Sequence, residues 1–373
     1  VRISCRSASR YSVMTAPAGI HLRSRWRTKP NLDSRLRGND GWGASWRSIE
    51  CLLVLWALLL PRTTPAADKF TTIYSARVMA QALPWIAEEA GLFKKYNLDH
   101  SLVFIASSSI TTAALLGGDP DMTMTGGVGN VIAFVRGSTE IVYVGSAKNS
   151  MTQNIIAGGN LKRPEDLKGK RIAVSRIGSN SHYFTIQALR RHGMEPNRDY
   201  TFLQSGGDPE SLIALMSGGV EVACLTPPTD VQALTRGYHY VIYGPDLKIP
   251  YAATSYVTKR ATIARRPQVM AQYMRAMGEA SKIMHTDREF VYKVLGKQLR
   301  INDRTIMEAA YNAEIKVMEP RLALKAEAFQ AILDEVAQTD ERAKKVKPQE
   351  LTESRFLNDM EKSGFWDQIW GKR

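Results

Sequence analysis

From residue 68 onward, short apolar runs alternate with segments whose apolar residues recur at helical spacing. Residues 70–74 predict a strand, and Leu83, Ile86, Ala87 and Ala90 share one face of a helix over 81–90 that Gly91 closes. Strands over 101–105, 121–125 and 141–144 then alternate with helices over 110–116 and 128–136. A second series repeats the rhythm, with strands over 153–157, 171–175, 200–203, 220–225 and 238–243 and helices over 181–191, 209–216 and 229–235. Both series place glycines before a short strand, Gly117-Gly118 in one and Gly218-Gly219 in the other. Such alternation implies parallel sheets covered on both faces, and its repetition implies two related lobes. After a strand over 255–258 the tail is helical, with apolar faces over 267–285, 287–295, 303–315 and 325–337 and a further helix over 356–363.

Composition changes this picture little. The formal charge of +14 would point to nucleic acid or a membrane surface. Residues 1–67 carry 11 Lys/Arg against three acids, leaving 39 Lys/Arg against 33 Asp/Glu beyond. That remaining excess is scattered through mixed-sign helices, so no nucleic-acid partner is expected. Of three cysteines, Cys224 alone follows residue 67, which excludes an internal disulfide or a cysteine metal site there. A buried, inert thiol is expected at Cys224, and neither metal nor cofactor is expected anywhere.

Residues 52–60 form a nine-residue apolar run after Arg47 and before Pro61 and the small residues Ala66-Ala67. That is the make-up of a secretory signal. As a helix it would reach roughly 14 Å, too short for a bilayer core of about 30 Å. Residues 1–67 are therefore expected to be a leader, an over-extended start followed by a signal peptide cut after Ala66 or Ala67, and the mature protein to be periplasmic.

Five segments in order carry a family resemblance: Pro84-Trp-Ile-Ala-Glu-Glu-Ala-Gly-Leu-Phe-Lys-Lys-Tyr-Asn-Leu-Asp99, Ala114-Leu-Leu-Gly-Gly-Asp119, Glu165-Asp-Leu-Lys-Gly-Lys-Arg-Ile-Ala-Val174, Ile177-Gly-Ser-Asn180 and Leu225-Thr-Pro-Pro228. Together they resemble the nitrate/sulfonate/taurine and thiamine-pyrimidine-precursor-like class of ABC-importer substrate-binding proteins. The resemblance implies a two-lobed α/β fold of the type II periplasmic-binding kind. Each lobe would be a mainly parallel five-stranded sheet with one antiparallel strand, flanked by helices and completed by a helical C-terminal tail. Lobe one would comprise 68–148 and 250–373, and lobe two 149–249. A monomer that hands its solute to a membrane permease follows as the expected partnership.

In an open α/β sheet a ligand sits beyond the carboxyl ends of the strands. Here those loops are rich in Ser, Thr and Gly, which makes Ser75, Arg77, Ser108, Ser109, Gly126, Gly127, Gly178, Ser179, Asn180, Thr226 and Pro227 the candidate ligand-binding residues. Free N–H groups at helix starts favour an anion, and Arg77 is the cation placed to pair with it. The structural alternative for Ser109 and Ser179 is helix capping. Tyr74, Tyr183 and Tyr251 are candidates either for cleft walls or for packing. An enzyme of the thiamine-pyrimidine-synthase type would need a cysteine-rich motif that this chain lacks, and no Gly-x-Ser-x-Gly elbow is present. A periplasmic sensor on the same fold is the other reading.

Overall fold

The computed structural model describes residues 66–118 and 120–371. The expected leader up to residue 65 lies outside the described residues.

The first series gives β1 (Asp68–Tyr74), α1 (Leu83–Glu89), α2 (Leu92–Lys95), β2 (Leu98–Phe104), α3 (Ser108–Gly117), β3 (Met122–Thr125), α4 (Gly127–Val135) and β4 (Ile141–Ser150). The second gives β5 (Asn154–Ala157), β6 (Arg171–Val174), α5 (Asn180–Arg190), β7 (Thr201–Gln204), α6 (Asp208–Met216), β8 (Val222–Leu225), α7 (Thr229–Leu234) and β9 (His239–Ile242). Next, β10 (Pro250–Lys259) rejoins the first sheet and opens the helical tail. That tail runs through α8 (Arg260–Arg265), α9 (Pro267–Thr286), α10 (Arg288–Leu299), α11 (Arg304–Glu314), α12 (Ala326–Val336), α13 (Arg355–Lys362) and α14 (Phe365–Trp370).

The strands form two five-stranded sheets, in the orders β2-β1-β3-β10-β4 and β7-β6-β8-β5-β9. In each, three parallel strands meet one antiparallel strand, β10 in the first sheet and β5 in the second. Each sheet with its helices is a lobe. The central strands read as continuous buried runs, Met122–Thr125 and Val222–Leu225, because helices cover both of their faces.

Two departures from the sequence expectation concern the crossing between lobes. Strands expected over 141–144 and 255–258 are each ten residues long and pair antiparallel from Ile141↔Lys259 to Ser150↔Pro250, with bulges between. The polar stretch Gly145-Ser-Ala-Lys-Asn-Ser150 carries no apolar signal, yet residues 145–149 are buried. Partners elsewhere meet most of its polar groups: the Ser146 hydroxyl donates to the Thr254 carbonyl at 3.2 Å and the Asn149 amide to the Ala323 carbonyl at 2.8 Å, while Asn149 Oδ1 has no partner among the described residues. Helices α2, α8 and α14 were not separately expected.

Helix α9 lays Met270, Tyr273, Met274, Met277 and Met284 on the first lobe, and Gly278 leaves room there for Phe365 and Trp366. On the other face, α12 joins the lobes. Its Phe329 meets Tyr143 of β4 edge-on at 4.8 Å, while Glu335 accepts from Arg190 of α5 at 2.9 Å. One apolar cluster thus runs from Val131 and Tyr143 through Phe329 and Ile332 to Tyr183, Ile155 and Ile172.

Candidate binding site between the lobes

A cavity of about 130 Å³ opens where the carboxyl ends of both sheets face each other. At about 30 Å³ per water, it has room for a few waters, or one small organic molecule. Lobe one contributes Ser75 and Arg77 after β1, Ser107 and Ser108 after β2, and Lys148 and Thr254 from the crossing strands. Lobe two contributes Ser175 after β6, Asn180 and Ser181 at the start of α5, Asp208 and Glu210 at the start of α6, and Thr226 after β8.

Of the residues singled out from the sequence, Ser75, Arg77, Ser108, Asn180 and Thr226 line this cavity, whereas Ser109, Gly126, Gly127, Gly178, Ser179 and Pro227 are not among its lining residues. Their places have physical reasons. Ser179 caps α5, its hydroxyl accepting from the His182 N–H at 3.4 Å and from the Ser175 hydroxyl at 2.8 Å. Ser109 sits inside the first turn of α3, where Ser107 holds the cap position, and pairs hydroxyl to hydroxyl with Ser107 at 3.0 Å. Gly178, at φ +77°, lies where a side chain would come within 4.0 Å of Ser109 across the lobes. A side chain on Gly127 would overlap Ile332 of α12. Pro227 is buried in a turn and joined to Pro228 by a cis bond.

Gly126 explains the seat of Asn180. A Cβ on Gly126 would overlap the Asn180 carboxamide, so this side chain of lobe two rests on bare backbone of lobe one. There the Tyr251 hydroxyl donates to Asn180 Oδ1 at 2.9 Å, and Asn180 Nδ2 donates to the Ala253 carbonyl at 3.0 Å. The Ser108 hydroxyl accepts from the Asn180 N–H at 3.3 Å. Tyr251 also accepts from the Val128 N–H at 2.8 Å, and burial holds its phenol far above the usual range. Tyr74 and Tyr183 are packed as well, 8% and 5% exposed.

Several lining residues escaped the sequence reading. Gln81 is buried under the first loop; its carbonyl oxygen accepts from the Ser75 and Ala76 N–H groups at 2.9 and 3.1 Å, and its amide donates to the Ser75 hydroxyl at 2.9 Å. Lys148 is buried on the cavity wall, its ammonium donating to Glu314 at 2.7 Å and to the Thr152 hydroxyl at 2.8 Å. Asp208 accepts from the Thr226 N–H at 2.8 Å, and burial pushes its carboxyl up to about 6. The signal for Asp208 was the repeat itself, since Gly206-Gly207-Asp208 stands before α6 as Ser107 and Ser108 stand at the start of α3.

Neither Cys224 nor His182 is among the cavity-lining residues, whereas the carboxylates of Asp208 and Glu210 are. Cys224 is buried in β8, and burial raises its thiol well above its ordinary value. His182 packs against Phe202 at 4.6 Å, and burial lowers its imidazole to about 4.

Two α/β lobes facing each other across a polar, strand-end cavity have the architecture of the periplasmic-binding-protein fold. Likeness to solved structures agrees. The alkanesulfonate-binding protein SsuA of Xanthomonas axonopodis pv. citri, solved with MOPS bound, superposes with a TM-score of 0.65 at 19% identity, covering 78% of this chain and 99% of that one. The chain belongs to the NMT1/THI5-like family, whose sequence model matches residues 82–289. Among curated relatives, the taurine-binding periplasmic protein of Escherichia coli K12 is 28% identical over 165 residues, 43% of this chain and 41% of that protein. The fold also hosts chemistry: the desulfurization enzyme DSZB superposes with a TM-score of 0.60 at 15% identity, covering 79% of this chain and 99% of that one.

Proposed function

We propose that this chain is the extracytoplasmic solute-binding protein of an ABC importer, capturing a small organic solute with an anionic group and delivering it to a membrane permease. The observation that carries the reading is the cavity itself, walled by strand-end hydroxyls and amides of both lobes, with the Arg77 guanidinium standing 4.5 Å over the Phe104 ring at its edge. A solute touching both lobes favours the closed form by its differential affinity for it. The lobes would then be 68–148 with 250–373, and 149–249, working as a monomer in the periplasm. Among the described residues no helix is long and apolar enough to cross a membrane. The names of the taurine- and alkanesulfonate-binding relatives support an anionic solute. The Cys224 thiol and the His182 imidazole lie outside the cavity lining, which supports binding over thiol or histidine catalysis. A periplasmic sensor would use the same cleft, and gene neighbours separate the two: a permease and an ATPase for transport, a histidine kinase for sensing.

Thermal unfolding against a panel of sulfonates, nitrate, pyrimidine precursors and aromatic acids tests the proposal. A solute at 100 times its Kd stabilises the protein by about 2.7 kcal/mol. Arg77→Ala is expected to abolish the shift given by an anionic hit. An unchanged shift removes Arg77 from the site.

A further inference from the structure

Four charged side chains line the cavity: Arg77 and Lys148, Asp208 and Glu210. They are not equivalent. The Lys148 ammonium is bonded to Glu314, in a pair whose side chains are 3% and 0% exposed, and its charge also reaches Asp208. What remains is segregated by lobe, a guanidinium after β1 of lobe one and two carboxylates at the start of α6 of lobe two. The exposed Glu210 side chain folds back over Gly207, where an added Cβ would lie 2.7 Å from Oε2.

An independent observation points the same way. Gln153 lines the cavity and is 6% exposed, yet its buried Oε1 has no hydrogen-bond partner among the described residues. Buried acceptors are usually satisfied, and this one belongs to a residue of the cavity wall, where a turn of the side chain would present it to a donor on the ligand. A purely anionic solute offers no such donor. In a space this small it would also bring its charge up to two carboxylates, and like charges without water between them repel strongly.

We propose that the solute is dipolar, with an ammonium or amidinium group that faces Asp208, Glu210 and Gln153 while its acid group faces Arg77. This rests on the solute-binding reading above and names the ligand class of that same cavity. Each end of such a solute meets the opposite charge on a different lobe, so both contacts form together only when the lobes are apposed.

Isothermal titration of the full chain with two matched pairs tests it: 3-aminopropanesulfonate against propanesulfonate, and 4-aminobutanoate against butanoate. In at least one pair the amino compound is expected to bind roughly ten-fold more tightly, the scale of one hydrogen bond to a charged group. Asp208→Asn should bring that ratio towards one. The exposed Glu210→Gln, which disturbs no core, should lower it in the same direction. The proposal is overturned if the amino-free member binds as tightly, if neither variant moves the ratio, or if nitrate or another panel solute binds while both amino compounds do not. Those outcomes leave the solute-binding reading standing. Failure of every solute in the panel, the four probes included, overturns that reading as well.

Discussion

Glu314→Ala is expected to lower the free energy of unfolding by about 3–5 kcal/mol, the range for removing one partner of a buried ion pair. Glu314 ends α11 and accepts from both Lys148 and Thr152, so it ties the helical tail to the strand that leaves lobe one. Without it the Lys148 ammonium, 3% exposed, keeps the Thr152 hydroxyl and the more distant Asp208 carboxylate but no bonded countercharge. Lys148→Met combined with Glu314→Leu should recover most of the loss, because apolar packing replaces a buried pair without its desolvation penalty. Urea unfolding of the two variants beside the wild type measures this. A single variant within about 1 kcal/mol of the wild type would mean that water reaches the pair.

Gly126→Ala is expected to weaken capture of the cognate solute by roughly ten-fold or more, since overpacking a tight contact costs about 1–3 kcal/mol. The effect is steric. Gly126 has φ −87°, which alanine adopts freely, but a methyl group there must displace the Asn180 carboxamide. Asn180 would then lose its bonds to Tyr251 and Ala253, and with them the position of the first residue of α5 at the cavity. Adding Asn180→Gly should restore packing without restoring those hydrogen bonds, so that stability returns further than affinity. Calorimetric titration with thermal melts separates the two. Wild-type affinity in Gly126→Ala would show that Asn180 plays no part in binding.

Where the fold was legible in the sequence, the reason was periodicity. The alternation of four-residue apolar strands with amphipathic helices survives in both series, because a strand covered on both faces needs apolar residues at every position, as in Val222–Leu225. The burial of Cys224 follows from that same run. The crossing strands were half hidden. Gly145 to Ser150 looks like a loop because buried polar groups such as those of Ser146 and Lys148 find partners more than a hundred positions away, in Thr254 and Glu314. Candidate site residues were legible where a loop follows a strand end, as at Ser75, Ser108, Asn180 and Thr226. Strand-end logic cannot tell a residue that faces the cavity from one that seats the opposite lobe, which is how Gly126 came to be grouped with Ser108. Lys148 and Gln153 come from the crossing, which the strand-end rule does not reach, and Asp208 sits in a helix start whose acid reads as an ordinary first-turn residue.

The central claim is that this chain holds a small solute between its lobes and releases it unaltered. Native mass spectrometry of the protein, incubated with the solute panel and then stripped of unbound molecules, tests it most directly. One solute per chain, recovered on denaturation with its original mass, is the expected result. A chain that retains nothing, or that gives back a chemically changed molecule, would contradict it.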